Sequence, residues 1–208
     1  MQSSLSKFNI LEEEVNIDKI KSYADLNGVP IISDQGLMFL LQMIRVNESI
    51  NILEIGTAIG YSAINMANIS KSILIDTIER DSKMYDLAIQ NINDCNLQDR
   101  IKVYYADALN IDLSLLKSSY DLIFIDAAKA QYINFFEKFS KLLSPKGIII
   151  SDNLMFHGLV EGESHIESRN LRALVRKIHN YNLWLSNHSD FVTLFLEIGD
   201  GMALSKKK

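Results

Sequence analysis

The chain has one cysteine, two prolines and nine glycines among its 208 residues. A lone thiol, Cys95, excludes an internal disulfide and any paired-cysteine metal or redox motif. With only Pro30 and Pro145, and no glycine- or serine-rich tract, nothing reads as a flexible interdomain linker. No apolar run approaches the ~20 residues that span a bilayer. The opening segment carries Glu12, Glu13 and Glu14 where a signal peptide would have its apolar core. The expectation is a soluble cytoplasmic protein without a membrane partner. An excess of positive charge is also missing: 21 basic against 26 acidic residues, net −5, do not advertise nucleic-acid binding. The balance is uneven, with fourteen basic and twenty acidic groups in residues 1–160 but seven and six in residues 161–208.

What is present is a globular composition, 48% hydrophobic and 23% charged, long enough to bury a core without staples. Short β-rich runs at 51–55, 72–79, 101–105, 121–126 and 147–151 alternate with helical stretches at 34–46, 61–68, 82–93 and 132–142. The first, fourth and fifth runs are nearly continuous in Ile, Leu and Phe, as strands covered on both faces are. Asp34 reads as the cap of the 34–46 helix. Alternation of this kind predicts an open, mostly parallel α/β sheet. A further helix at 10–27 precedes it, so residues 1–30 read as a helical extension and 31–208 as the main domain. After Gly158 a long helix at 167–185 is followed by runs at 191–198 and 202–205. Gly199-Asp200-Gly201 joins those two runs into an expected hairpin.

Open α/β sheets bind ligands where their strands end, so the residues after each strand carry the functional reading. After the first comes Glu54-Ile55-Gly56-Thr57-Ala58-Ile59-Gly60-Tyr61-Ser62, a glycine loop. Ala58 replaces the second glycine of a dinucleotide fingerprint, and no Gly-Lys-Ser/Thr follows for a P-loop. An ordinary tight turn remains an equal reading. Glu79 ends the second strand 23 residues after Gly56 and could accept from both hydroxyls of a ribose, or simply be solvated. Asp107 and Ala108 follow the third strand, where Asp107 could meet an adenine amine or cap a helix. The fourth and fifth strands end in Asp126-Ala127-Ala128-Lys129 and Ser151-Asp152-Asn153. Neighbouring strands lie ~4.8 Å apart. Asp126, Asp152 and Asn153 could therefore share a hard cation, Mg²⁺ first and Ca²⁺ or Mn²⁺ after it. If they do not, they are unrelated caps.

Together these residues resemble the Mg²⁺-dependent, S-adenosylmethionine-using O-methyltransferases, the family of catechol and caffeoyl-CoA O-methyltransferases, from about residue 31 onward. The resemblance implies the class I methyltransferase fold, a Rossmann-like α/β structure. Its sheet has seven mostly parallel strands, helices on both faces and a C-terminal antiparallel hairpin. It implies a cofactor site of Ile32, Glu54, Gly56, Ser62, Glu79, Asp107, Ala108 and Asp126. Ile32, Gly56 and Ser62 would surround the methionine part, Glu79 would hold the ribose, and Asp107 and Ala108 would border the adenine. Asp126, Asp152 and Asn153 would bind Mg²⁺, Lys129 with Asp126 would form the catalytic pair with Lys129 as base, and the enzyme would be a homodimer. The strings at 126–132, 151–160, 169–184 and 198–205 are closest to the bacterial branch that methylates 5-hydroxyuridine at the tRNA wobble position, position 34, giving 5-methoxyuridine.

The chemistry is consistent with that resemblance. A chelated hydroxyl loses its proton more readily beside Mg²⁺, and a catechol and 5-hydroxyuridine both offer two adjacent oxygens. Neutral Lys129 could take the proton. Arg169, Arg172, Arg176 and Lys177 fall within nine residues without an acid, three of them at i, i+3 and i+7 on one helix face. That face could follow the backbone of a tRNA anticodon loop and stem. A solvated face or a dimer contact is equally consistent with it. Tyr132, Phe156 and His157 could stack on the base or serve packing. The other readings are the same chemistry on a catechol-like or caffeoyl-CoA-like small molecule, and a nucleoside-binding module without catalysis. The second would need neither the metal ligands nor Lys129. Ala58 disfavours an NAD oxidoreductase.

Overall fold

The computed structural model describes residues 15–155 and 168–208. In chain order the elements are α1 (Val15–Asn27), α2 (Asp34–Val46), β1 (Asn51–Ile55), α3 (Tyr61–Asn68), β2 (Leu74–Glu79), α4 (Ser82–Asp94), β3 (Ile101–Tyr105), β4 (Tyr120–Ile125), α5 (Tyr132–Phe139), β5 (Leu143–Ser151), α6 (Arg169–Ser186), β6 (Phe191–Leu196) and β7 (Met202–Lys207). One seven-stranded sheet runs in the order β3-β2-β1-β4-β5-β7-β6. The β1–β2, β2–β3, β1–β4 and β4–β5 pairs are parallel, and β7 pairs antiparallel with both β5 and β6.

Strand alternation divides the core into two layers. Ile52, Ile75, Leu122, Phe124, Ile148 and Ile150 face α1 to α4, whereas Leu53, Ile55, Ile78, Ile123, Ile125 and Ile149 face α5 and α6. Period-2 side-chain placement with both faces covered is why β1, β4 and β5 read as nearly continuous apolar runs. From β1 the chain winds outward through β2 and β3, then returns to the other side of β1 as β4. The strand order therefore reverses between β1 and β4, and such a switch point opens a crevice at the carboxyl ends of the strands.

Some element ends differ from the sequence reading. Ser33, rather than Asp34, is the N-cap of α2, its Oγ accepting from the Gly36 N–H at 3.2 Å; Asp34 is the first helical residue and pairs with Lys21 at 2.5 Å. β5 starts at Leu143 and absorbs Pro145 and Lys146 through a register slip against β4 between Tyr120 and Leu122. The helix read over 132–142 is α5 followed by a 3₁₀ turn at Ser140–Leu142. α1 is packed on the domain, with Ile17, Ile20 and Ala24 buried in the same layer as α2 and α3. Residue 167 and the first residues of the helix read over 10–27 lie outside the described residues. No helix among the described residues is long and apolar enough to cross a membrane.

Candidate active site

The reversal between β1 and β4 is closed by one contact. Gly56 has φ +102°, and a Cβ there would stand 2.2 Å from the Asp126 carbonyl oxygen. Only glycine lets the two strand ends approach so closely. The Gly56 and Asp126 amides extend the ladder, donating to the Ile78 and Ile55 carbonyls at 3.1 and 3.0 Å. Beyond them lies a cavity of about 570 Å³. Its lining includes Ile32, Gly56, Ser62, Glu79, Asp126, Lys129 and Asn153, seven residues singled out from the sequence. A smaller cavity of about 270 Å³ shares Gly56, Glu79 and Ala127 with it and is lined further by Asp107, Ala108 and Phe135. The elongated space thus runs from the β4 and β5 ends to the β3 end, with Glu79 at the junction.

Glu79 does more than project into this space. Its Oε2 accepts from the Ala58 N–H, and its Oε1 from the Arg80 and Asp81 N–H groups, each at 2.8 Å. Ala58 sits at φ +47°, a conformation that L residues adopt at a cost, and this carboxylate holds it there. For a nucleoside in the cavity, Glu79→Ala removes a hydroxyl acceptor and the anchor of the loop together. Calorimetric titration with S-adenosylmethionine should show affinity at least about tenfold weaker, as the loss of charge-assisted hydrogen bonds implies. Unchanged affinity would mean that Glu79 has no part in cofactor binding, directly or through the loop.

Glu54 stands apart from the other residues placed in the cofactor set. It is fully buried and does not line the cavity. Its Oε1 accepts from the Ser62 hydroxyl and its Oε2 from Thr77 Oγ1 at 2.6 Å, and Thr77 in turn meets Thr57 Oγ1 at 2.6 Å. It acts from beneath the loop, joining its two ends to β2. Burial pushes its pKa up to about 8, against the lowering effect of the Ser62 and Thr77 bonds. A carboxyl with a raised folded-state pKa gives stability that is complete below its ordinary range and is lost as pH rises through about 8. Glu54→Gln removes that loss. Its melting temperature should gain on wild type from about pH 5 to about pH 9 in a series of thermal melts. Parallel curves would mean that Glu54 is ionised throughout.

Asp126 and Asp152 follow adjacent strands; Asp152 is buried, and Asp126 is half-buried at the cavity wall. Burial raises both carboxyl pKa values; the Asp126 charge adds to the rise at Asp152, and the Lys129 ammonium opposes it at both. Two neighbouring carboxylates, one buried and one half-buried, thus interact with one lysine, an arrangement a hard cation would balance. Asn153 lines the same cavity at φ +61°, and its N–H donates to Asp152 Oδ1 at 2.7 Å. The donors available are all oxygens, and Asp126, Asp152 and the Asn153 amide fit Mg²⁺. Asp152 itself is only 2% exposed and does not line the cavity.

Of the two roles read for Tyr132 the structure shows packing, and Asp200 is a contributor that the sequence did not mark as a site residue. The Tyr132 hydroxyl donates to the Asp152 carbonyl at 3.0 Å, and its ring lies edge-on to Tyr181 at 5.2 Å. Tyr132 is therefore a buried strut beneath the carboxylates and does not stack on a base. Asp200 lines the main cavity. It was read only as part of a turn, yet β6 runs parallel to β5 in the sheet, so the turn that follows β6 must fall at the ligand-binding end. Gly201, at φ +85°, lets that turn close against the Met155 amide, from which a Cβ would be 2.8 Å away. Arg169, Arg172, Arg176 and Lys177 are exposed on α6 and line neither cavity. Phe156 and His157 lie outside the described residues.

The sequence profile of the O-methyltransferase family matches residues 1–208. The chain belongs to that family. Among similar solved structures, one from Staphylococcus aureus, assigned provisionally as a caffeoyl-CoA O-methyltransferase, is 40% identical, covers 94% of this chain and 93% of its own, and superposes with a TM-score of 0.90. The Bacillus cereus O-methyltransferase in complex with S-adenosylhomocysteine is 26% identical over 98% of this chain and 95% of its own, with a TM-score of 0.83. The catechol O-methyltransferase of Niastella koreensis is 32% identical over 86% of this chain and 83% of its own. In this O-methyltransferase the glycine loop, Glu79 and Asp126 border one space, with Asp152 buried behind it.

Proposed function

We propose that this O-methyltransferase methylates the 5-hydroxyl of wobble 5-hydroxyuridine, position 34, in tRNA, giving 5-methoxyuridine, with Mg²⁺ assisting. The observation that carries the chemistry is the meeting of Asp126, Lys129 and Asn153 in the cavity lined by the glycine loop and Glu79. S-adenosylmethionine supplies the methyl group from a sulfonium. Ile32, Gly56 and Ser62 enclose its methionine part, Glu79 takes the ribose hydroxyls, and Asp107 and Ala108 border the adenine. A hard cation held by Asp126, Asp152 and Asn153 supplies Lewis acidity that makes an acceptor hydroxyl more acidic. Lys129 Nζ takes the proton from that hydroxyl, and the neighbouring carboxylates orient and balance the ammonium that results. Buried Tyr132 and the Asp200 turn fix the walls of the acceptor end.

The exposed cations of α6 support an RNA acceptor, since such a face can follow a phosphate backbone. A wobble base is already in a loop and needs little unpairing to enter a pocket. The second reading is the same transfer to a catechol-like or caffeoyl-CoA-like phenol, which the names of the similar proteins favour. Mass spectrometry of tRNA nucleosides from a strain lacking the gene separates the two. Loss of 5-methoxyuridine with accumulation of 5-hydroxyuridine is expected, and unchanged nucleosides would leave the phenol reading.

A further inference from the structure

α6 presents a mixed stripe to solvent. Arg172, Arg176, His179 and Leu183 follow at helical spacing, and all four are exposed. At ~1.5 Å per residue, Arg176 stands about 4.5 Å along the axis from His179 and Arg172 about 10.5 Å. The C-terminal half of the stripe borders a groove of about 330 Å³ between α6 and β6. Leu154 and Met202, both buried, form its base, and Leu183 and Phe195, 52% and 39% exposed, stand at its sides. Glu197 is the one acid of the lining, an acceptor suited to an exocyclic amine of a base. No hydrogen bond or ion pair engages the Arg172 and Arg176 side chains among the described residues.

The groove adjoins the active site. Asn153 and Asp200 line the main cavity, whereas the residues that follow them, Leu154 and Met155 and Gly201 and Met202, line the groove. The two segments are clasped by Leu154 and Met155 amides donating to the Gly201 and Asp200 carbonyls at 2.9 and 2.8 Å. They form a wall with the acceptor end of the cavity on one side and the groove on the other. An acceptor longer than one ring would cross that wall.

We propose that this groove is a second acceptor subsite, taking the base of a nucleotide next to the methylated one in a single-stranded RNA loop, with Arg172 and Arg176 on backbone phosphates that continue from it along α6. Cations beside an apolar groove with one aromatic ring are what a single strand requires: phosphate contacts and a sequence-tolerant stacking surface. The inference rests on the tRNA reading and adds to it a place where the enzyme holds the neighbouring base.

The test uses a short synthetic anticodon stem–loop containing 5-hydroxyuridine, the free 5-hydroxyuridine nucleoside, and the variant Leu183→Glu, which puts a carboxylate at a surface position of the groove. KM for the stem–loop should rise about tenfold or more, the scale of one lost base stack. Turnover of the free nucleoside and calorimetric affinity for S-adenosylhomocysteine should match wild type. Removing the base beside the methylated nucleotide should raise KM for wild type and leave that of Leu183→Glu unchanged. Wild-type kinetics of Leu183→Glu on the stem–loop would overturn the subsite while leaving the tRNA reading intact. So would sedimentation showing that the variant separates a dimer, which would assign the groove to a second copy of the chain. A wild-type enzyme that ignores the stem–loop and methylates a catechol or a CoA thioester would overturn the tRNA reading and the subsite with it.

Discussion

Asp152→Ala is expected to lower turnover about a thousandfold or more, the scale of several kcal/mol of lost Lewis-acid stabilisation. Affinity for S-adenosylmethionine should stay at the wild-type level, because Asp152 lies at the acceptor end and lines neither cavity wall. The fold should tolerate the change. Burial, with the Asp126 charge adding to it, pushes the Asp152 carboxyl up to about 7; replacing a buried acid with an apolar side chain removes that burden, so the melting temperature should hold or rise. Chelation of wild type with EDTA should reproduce the activity loss and added Mg²⁺ should reverse it, while direct titration should find the Mg²⁺ site weakened in the variant. Full activity in EDTA would remove the cation from the mechanism and leave Asp126 and Asp152 as an acidic pair around Lys129.

Lys129→Met should cost about a hundredfold to ten-thousandfold in turnover, the range of a positioned general base. Lys129 lies at the start of a 3₁₀ turn, Lys129–Gln131, directly ahead of α5, so its backbone is fixed by neighbours that the substitution leaves alone. Lys129→Arg is the informative companion. A guanidinium keeps the positive charge beside Asp126 and Asp152 but does not give up its proton in proteins. If Lys129 acts as the base, both variants fail alike on an acceptor with an ordinary hydroxyl, and both recover in part on an acceptor acidic enough to ionise alone. An arginine variant with wild-type turnover would mean that the lysine serves only to balance charge.

Much of this molecule is legible in its sequence because the sheet is covered on both faces. Strands such as β1, β4 and β5 are then apolar over most of their length, Glu54 being the exception within β1, and Gly56, Asp126 and Asp152 follow directly where they end at the ligand-binding edge. Legibility fails where one residue has two roles or where the fold brings distant segments together. Glu79 looks like a ribose acceptor, but nothing in its spacing tells that three backbone amides also depend on it. Glu54 matches a cofactor-loop motif, yet it works from below, through Ser62 and Thr77. Pro145 marks a strand break in the sequence, but the register slip against β4 accommodates it. Asp200 becomes visible only once β7 is known to lie between β5 and β6.

That strand order bears on how the chain is made. β6 leaves the ribosome before β7, but joins the sheet through it, since among the described residues β7 alone pairs with β6 and with the outer edge of β5. Through the synthesis of α6 and β6, the nascent chain therefore carries Ile148, Ile149 and Ile150 on an open strand edge, a template for pairing with other unfinished chains. Arrival of β7 seals that edge and swings Asp200 into the acceptor end in the same event. The open edge and the incomplete cavity wall thus end together, and a chain stalled before residue 202 would show both.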